Sequence, residues 1–301
     1  MTEIERILAK GLFTEEFLKP ETICEFHVDE RRKKLWLVVL DLLSQFDSVC
    51  RKHNLRYFLF FGSLLGAIRH RGFIPWDDDI DIAMPREDYE RLQDYAGEFA
   101  DPYFLQTPMT DVGYYFTFNK LRNSRTSYVS EVFRYERINQ GICLDIFPID
   151  RYTDEQLEEK SEQVKALAQD LSTYMRMSNP ELDEAGRRRV AAWSGRPPME
   201  TWQMIQQICM ADRDKPCMFV GWMSGNVYGA RRQSFPVNCL DELVDTDFYG
   251  LRVPIPKNYD TVLKTLYGDY MSFPPVSARG TWHSGVLIDT DTPYTNYLKT
   301  R

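Results

Sequence analysis

The sequence predicts an α+β fold: a mixed sheet core flanked by helices, followed by a mostly helical C-terminal part. Three observations predict it. Short apolar runs, one of them alternating polar and apolar with period two, punctuate the first 150 residues. Amphipathic stretches with helical spacing lie between those runs. After Asp150 the composition turns polar and helix-patterned, which divides the chain into residues 1–150 and a mainly helical part, 151–301, packed on them.

Residues 29–53 read as a helix. Asp29 can cap its N-terminus, and Leu35, Val38, Val39, Leu42, Leu43, Phe46 and Val49 make an apolar stripe. RYFLFFG (56–62) is a dense apolar run that stops at glycine, the pattern of a buried strand, and SLLGAIRH (63–70) opens a helix directly after that turn. DIDIAM (79–84) alternates as a strand does. PREDYERLQDYAGEF (85–99) starts with proline and acidic residues, a favourable helix N-terminus. GYYFTFNKLRNSRTSYVS (113–130) reads as a hairpin around Asn123-Ser124, and GICLDIFPID (141–150) as a buried strand ended by proline. Beyond it come an amphipathic helix over 154–177 and helical segments over 181–211, broken at SGRPPME. Residues 244–271 predict a short β excursion, then a helix from about Lys257 to Tyr267, and the tail from Phe273 reads as irregular.

Composition narrows the function classes. Of the 301 residues, 43% are hydrophobic and 27% charged, ordinary for a globular protein, while 14% aromatic content suits a ligand groove. A net charge of −8 argues against nucleic acid as a partner. The six cysteines (Cys24, Cys50, Cys143, Cys209, Cys217 and Cys239) show no CxxC pair and no metal-ligand spacing, so reduced thiols and a cytoplasmic location are expected. The start MTEIERILAKGLF lacks the apolar core of a signal peptide. No uncharged apolar run approaches the ~18–20 residues of a membrane span, which leaves peripheral contact at the cytoplasmic face of a membrane open.

The chemistry concentrates in WDDDIDIAM, which places Asp77, Asp78, Asp79 and Asp81 within five positions. In a strand, residues i and i+2 share a face. Asp79 and Asp81 then project together while Ile80 and Ile82 enter the core; Asp77 joins them if the strand extends back, and Asp78 faces away and should tolerate replacement best. Asp145, between Leu144 and Ile146, is a third acid set in an apolar strand. If the two strands are neighbours, three carboxylates converge. All-oxygen ligation suits Mg²⁺ or Mn²⁺, and such a face organises phosphoryl chemistry. A lone alternating acidic strand is commonly a half-exposed edge; it is the combination that points to a site. Gly62 and Ser63 at a strand-to-helix turn can hold phosphate, as can basic residues drawn from Arg69, His70, Arg71, Lys120, Arg122 and Arg125.

With these elements in this order the chain resembles the nucleotidyltransferase superfamily, that of DNA polymerase β. The long stretch GSLLGAIRHRGFIPWDDDIDIAM is more specific and resembles the signature of the LicD family, to which fukutin and fukutin-related protein are related. GICLDIFPID is similar to the family's second block and IPIPKNYDTVLKTLYGDYMSFPP to its C-terminal block, so the resemblance spans roughly residues 30–285. It implies a nucleotidyltransferase-like catalytic core over 1–150 and a substrate-binding part over 151–301. The implied activity is metal-dependent transfer of phosphocholine, or a related phospho-substituent such as ribitol or glycerol phosphate. The implied donor is CDP-choline or another CDP-linked compound. The acceptor would be a hydroxyl of a cell-surface glycan or its lipid-linked precursor, and CMP would be released. Asp79, Asp81 and Asp145 would hold Mg²⁺ (or Mn²⁺), with Asp145 also the base and Asp77 supporting. Gly62, Ser63, Arg69, Lys120 and Arg122 would steady donor phosphates, with Arg279 and His283 as weaker candidates. Nucleotidyl transfer proper and a non-catalytic glycan-binding subunit are the competing readings.

Overall fold

The structure, a computed structural model, describes residues 1–153, 155, 157–225, 233–280 and 286–299. It opens with helix α1 (Glu3–Leu8), the hairpin strands β1 (Glu21–Ile23) and β2 (Phe26–Val28), and the long helix α2 (Glu30–Lys52). Next come β3 (Phe58–Leu59), α3 (Phe61–His70), β4 (Asp81–Pro85), α4 (Arg86–Leu92), β5 (Tyr103–Gln106), β6 (Asn119–Asn123), β7 (Ser127–Ser130) and β8 (Ile142–Tyr152). Helices α5 (Leu157–Tyr174), α6 (Glu184–Ala191) and α7 (Pro198–Cys209) follow, then β9 (Phe219–Gly221) and β10 (Phe235–Pro236). The hairpin β11 (Leu243–Phe248) and β12 (Leu251–Pro256), helix α8 (Tyr259–Tyr267) and β13 (Val286–Asp289) complete the order.

Strand β8 is the spine of a mixed sheet. Along one edge β4 runs parallel to it, Asp81 opposite Asp145 and Pro85 opposite Ile149. Along the other edge β6 pairs antiparallel over Ile142–Ile146, and β9 takes over at Asp150–Tyr152. β3 extends the sheet beyond β4, β5 beyond β6 and β10 beyond β9. The strand expected to stop at its proline continues through Pro148 to Tyr152. The Asp145 N–H points toward β4, so by alternation Pro148 lacks its N–H on the opposite edge, in the gap between β6 and β9.

Helix α2 forms as its sequence predicts, with Asp29 Oδ1 accepting the Arg32 N–H at 2.8 Å. Every residue from Leu35 to Leu43 is buried, so the helix is covered on all sides. One side lies on β6 and β8; α1 and the 3₁₀ turn Glu15–Leu18 cover the other. Each buried Leu or Val contributes about 1.5–3 kcal/mol. Asp41 is buried in that cover and accepts hydrogen bonds from Arg6 Nη2 (2.9 Å) and the Tyr103 hydroxyl (2.7 Å).

The hairpin expected around Asn123-Ser124 does not form. β6 uses both its edges, on β5 and β8, so β7 departs and pairs with β13 in the tail that the sequence left irregular. α4 gives way after Leu92 to a 3₁₀ turn, Gln93–Glu98. Residues after Asp150 contribute to two cores: Trp222, Phe235, Phe248, Val262 and Leu266 join the main one, and Leu157, Val164, Leu171, Ile205 and Cys209 build a smaller one. Among the described residues no helix is long and apolar enough to cross a membrane.

Candidate active site

The site begins at the turn between β3 and α3. Phe60 N–H donates to the Asp81 carbonyl at 2.9 Å, and Phe61 then opens the helix at φ +39°. A phenylalanine in that left-handed region costs on the order of 1–3 kcal/mol. Ring packing holds it there, with Phe60 at 4.1 Å, Phe147 at 5.5 Å and Trp222 at 5.8 Å. The tight turn sets Gly62 against the Asp77 carboxylate; a Cβ at Gly62 would sit 2.7 Å from Asp77 Oδ2. One turn later a Cβ on Gly66 would meet the Gly72 carbonyl oxygen at 2.4 Å, so glycine lets loop 72–80 lie flat on α3. From α2, Arg32 Nη1 (2.8 Å) and Trp36 Nε1 (3.0 Å) donate to the Asp77 carbonyl and pin the loop from its other side.

Two helices therefore position Asp77, Asp78 and Asp79, and strand β4 begins only at Asp81. This corrects the strand-based placement of Asp78. No strand forms there, so alternation does not place Asp78, which is buried at 4% exposure and lies outside the cavity lining. Carboxylate oxygens of Asp77, Asp78 and Asp79 lie within 4.8 Å of one another. Asp81 and Asp145 stand opposite each other on the parallel strands, tied by Asp145 N–H to Ile80 C=O at 2.9 Å. Asp77, Asp79, Asp81 and Asp145 all line one cavity of about 690 Å³.

Electrostatics in this cavity are uneven. Burial, then the neighbouring Asp77, Asp81, Asp145 and Asp78, push the Asp79 carboxyl well above the usual carboxylate range. Lys120 contacts Asp145 Oδ1; burial pulls its ammonium down, but Asp145 more than offsets this and holds it above the ordinary value. Cys143 Sγ lies 3.7 Å from Asp145 Oδ1, and burial raises its thiol. Phe118, Phe147 and Trp222 form an aromatic wall beside Asp145, with centroids 4.4–5.7 Å apart. Across the cavity, Arg69 donates to the Tyr270 (2.7 Å) and Ser272 (3.2 Å) carbonyls and lies over the Phe273 ring, while burial lowers its pKa. Its Nε is buried without a hydrogen-bond partner among the described residues. His70, packed against the Trp76 and Phe273 rings of that wall, is driven down to about 4 by burial and by Arg69.

Other residues singled out by sequence sit elsewhere. Ser63 is buried behind the cavity, its Oγ accepting the Asp81 N–H at 2.8 Å. Arg122 is buried, donating to Gln106 Oε1 and the Gly141 carbonyl, both at 2.6 Å, and does not line the cavity. Arg125 pairs with Asp101 at the surface, and Arg71 is the exposed left-handed cap of α3. Arg279 braces the wall, donating to the Cys24 and Pro274 carbonyls with its guanidinium 5.1 Å from the Trp76 ring. His283 lies outside the described residues. Sequence reasoning missed Trp222, which sits in no readable motif. It also missed Tyr267, Asp269, Tyr270 and Phe273, whose signal was the C-terminal block itself.

A mixed α+β scaffold thus carries convergent acids on parallel neighbouring strands at the mouth of an aromatic-walled cavity. The donor set is all oxygen, and burial together with the neighbouring carboxylates raises Asp79, so these residues fit a hard divalent cation. Residues 54–180 match the family model described as LicD/FKTN/FKRP, nucleotidyltransferase domain. Over 261 residues the chain is 26% identical to the lipopolysaccharide cholinephosphotransferase LicD of Haemophilus influenzae, spanning 79% of this chain and 91% of that protein. An 82-residue stretch is 33% identical to an uncharacterised protein of Rickettsia prowazekii, covering 27% of this chain and 30% of that one. A similar stretch is 32% identical to an uncharacterised protein of Rickettsia typhi, covering 27% and 26%. Residues 54–180 thus carry a LicD-family domain, and similarity to a LicD protein extends over most of the chain.

Proposed function

We propose that this chain transfers phosphocholine from CDP-choline to a hydroxyl of a cell-surface glycan or its lipid-linked precursor, releasing CMP. The observation that carries the reading is the convergence of Asp77, Asp79, Asp81 and Asp145 on one cavity with an aromatic wall and a cationic one. The name of the Haemophilus relative supports the choice of phosphocholine. A nucleotidyltransferase-type fold belongs to the same proposal, since it presents acids from adjacent strands to a diphosphate.

Asp79, Asp81 and Asp145, with Asp77 in support, would hold Mg²⁺ or Mn²⁺. Bound there, the ion would neutralise diphosphate oxygens and lower the pKa of the acceptor hydroxyl. The acceptor oxygen bonds to the choline-bearing phosphorus, the bridging bond to CMP breaks, and the hydroxyl proton passes to Asp145. Lys120, in contact with Asp145 Oδ1, aims that carboxylate. Arg69 and the first-turn N–H groups of Gly62 and Ser63, which helix α3 does not use, offer donors to phosphate oxygens. A quaternary ammonium has no hydrogen to donate and is best held against ring faces, which Phe118, Phe147 and Trp222 supply.

The test is CMP release from CDP-choline, CDP-glycerol and CDP-ribitol with Mg²⁺ and a glycan acceptor. CMP from CDP-choline, abolished by Asp79→Ala, is expected. Release only from the alditol donors would move the assignment to phospho-alditol transfer. Pyrophosphate from CTP would replace it with nucleotidyl transfer, and no CMP from any donor would refute it.

A further inference from the structure

The geometry points to a second ligand site: an oxyanion pocket built by Arg176 and Arg189 between α5 and α6, taking a phosphate ester or a carboxylate. The pocket encloses about 290 Å³ and is lined by Arg176 and Arg189 with Gln169, Ser172 and Thr173 of α5. Two guanidinium groups share one small cavity. Among the described residues neither has a carboxylate partner, and Arg176 Nε is buried with no hydrogen-bond partner at all. Like charges brought together repel, and burial followed by Arg189 depresses the Arg176 pKa. A bound oxyanion removes both penalties, and the planar fork of arginine matches its oxygens.

The acids nearby are committed elsewhere. Asp183 caps α6, accepting the Gly186 N–H at 2.6 Å. Glu184 pairs with Arg188, Glu181 with Arg134 and Lys299, and Asp170 holds Ser194. Residues with hydroxyl and amide donors remain on the α5 side: Ser172 and Gln169 line the cavity beside the arginines.

Position suggests the source of the anion. The Arg176 guanidinium lies 5.8 Å from the Phe133 ring, Phe133 packs on Phe116 at 5.6 Å, and Phe116 on Phe118 at 5.5 Å. Phe118 lines the carboxylate cavity, so the two sites are three ring contacts apart. An acidic group carried on the acceptor would reach this pocket while its hydroxyl lies at Asp145; this placement, unlike the pocket itself, rests on the proposed transferase reading.

The experiment is calorimetric titration of the full-length protein with inorganic phosphate and, separately, sodium glucuronate, without any CDP-linked donor. Wild type is expected to bind at least one probe saturably, and Arg189→Gln to weaken that binding at least tenfold. Should Arg176→Gln fail to fold because of its packing on Phe133, the exposed Arg189→Gln decides alone, with an unchanged melting temperature as its control. Turnover with a glycan acceptor separates the sources. A raised acceptor KM at constant kcat in Arg189→Gln places the oxyanion on the acceptor; unchanged KM with lost probe binding assigns it to a free anion. Wild type binding neither probe, or Arg189→Gln binding as wild type does, overturns the proposal. The titration needs no turnover, so failure of CMP release would not touch it.

Discussion

Replacing Gly62 by alanine separates the chemistry of the site from its stability. A Cβ at that position meets Asp77 Oδ2 at 2.7 Å, and ordinary contact begins near 3.4 Å, so the carboxylate must retreat by about 0.7 Å. Gly62 does not occupy the left-handed region, and it sits in the first turn of α3, so the backbone accepts alanine. Helix propensity favours the change by up to about 1 kcal/mol, which offsets the cost of swinging one side chain. Misplacement by 1 Å near reacting groups can cost about 100-fold, so a loss of roughly 10- to 100-fold in kcat is expected. The assay is CMP release at saturating CDP-choline, run beside thermal unfolding. Melting within about 2 °C of wild type is expected together with the lost rate. Activity within twofold of wild type would refute the placement of Asp77 in the site. A large fall in melting temperature would show instead that Gly62 serves packing. Gly66→Ala is the contrasting case: its Cβ would strike the backbone oxygen of Gly72 at 2.4 Å, which cannot swing aside. It should lose about 1–3 kcal/mol of stability as well as rate.

The remaining predictions concern charge. The raised carboxyl of Asp79 means that the metal-free folded state binds more protons than the unfolded chain above the ordinary carboxylate range, so its stability falls as pH rises through that window. Asp79→Asn should therefore melt about 1–3 °C above wild type without metal and gain nothing from Mg²⁺, which should raise wild type; scanning fluorimetry with and without Mg²⁺ checks both, and a lower-melting variant would sink the idea. Asp150 is fully buried and bidentate with Arg86 at 2.7 and 2.9 Å, and Gln206 Oε1 accepts from Arg86 at 2.8 Å. Asp150→Asn leaves that guanidinium unbalanced and should cost about 3–5 kcal/mol in urea unfolding, while kcat per folded molecule holds. His70 titrates at about 4 in the folded state, below its usual 6.5, so the folded protein binds fewer protons between those values. Stability is then lost as pH falls from 6.5 toward 4, by about 1–2 kcal/mol once its partial exposure is allowed for, and His70→Asn should flatten that slope in pH-dependent melting.

What could be read from the chain alone was whatever is local. Helix α2 declares itself through the Asp29 cap and an apolar stripe that needs no partner to be recognised. The acids at Asp79, Asp81 and Asp145 stood out because charge flanked by Ile and Leu is costly unless used. Register was not legible: that Asp81 faces Asp145 depends on a parallel pairing no local pattern encodes. DIDIAM (79–84) reads as strand because it alternates, yet the strand begins only at Asp81, and the loop before it is held by Trp36 and Arg32 on one side and packed on Gly62 and Gly66 on the other. Lys120 and Arg122 looked equivalent at i and i+2, but Gln106 and the Gly141 carbonyl capture Arg122 before it reaches the cavity. Trp222 and the Arg176–Arg189 pair carry no signal in sequence because only the packing of distant segments brings them to a cavity.

The in-register pairing of β4 with β8 also bears on how the chain reaches its native state. Asp81 and Asp145 come from parallel strands, which a hairpin cannot join, so loop closure must precede any contact between them. Such non-local pairing is slow to nucleate. A nascent or half-folded chain therefore has no complete carboxylate site, and the proposed cation, if held by these two acids, would act as a clasp on a contact made late. Its benefit would fall on the rate of unfolding and leave the rate of folding nearly untouched, making the protein longer-lived without helping it to form.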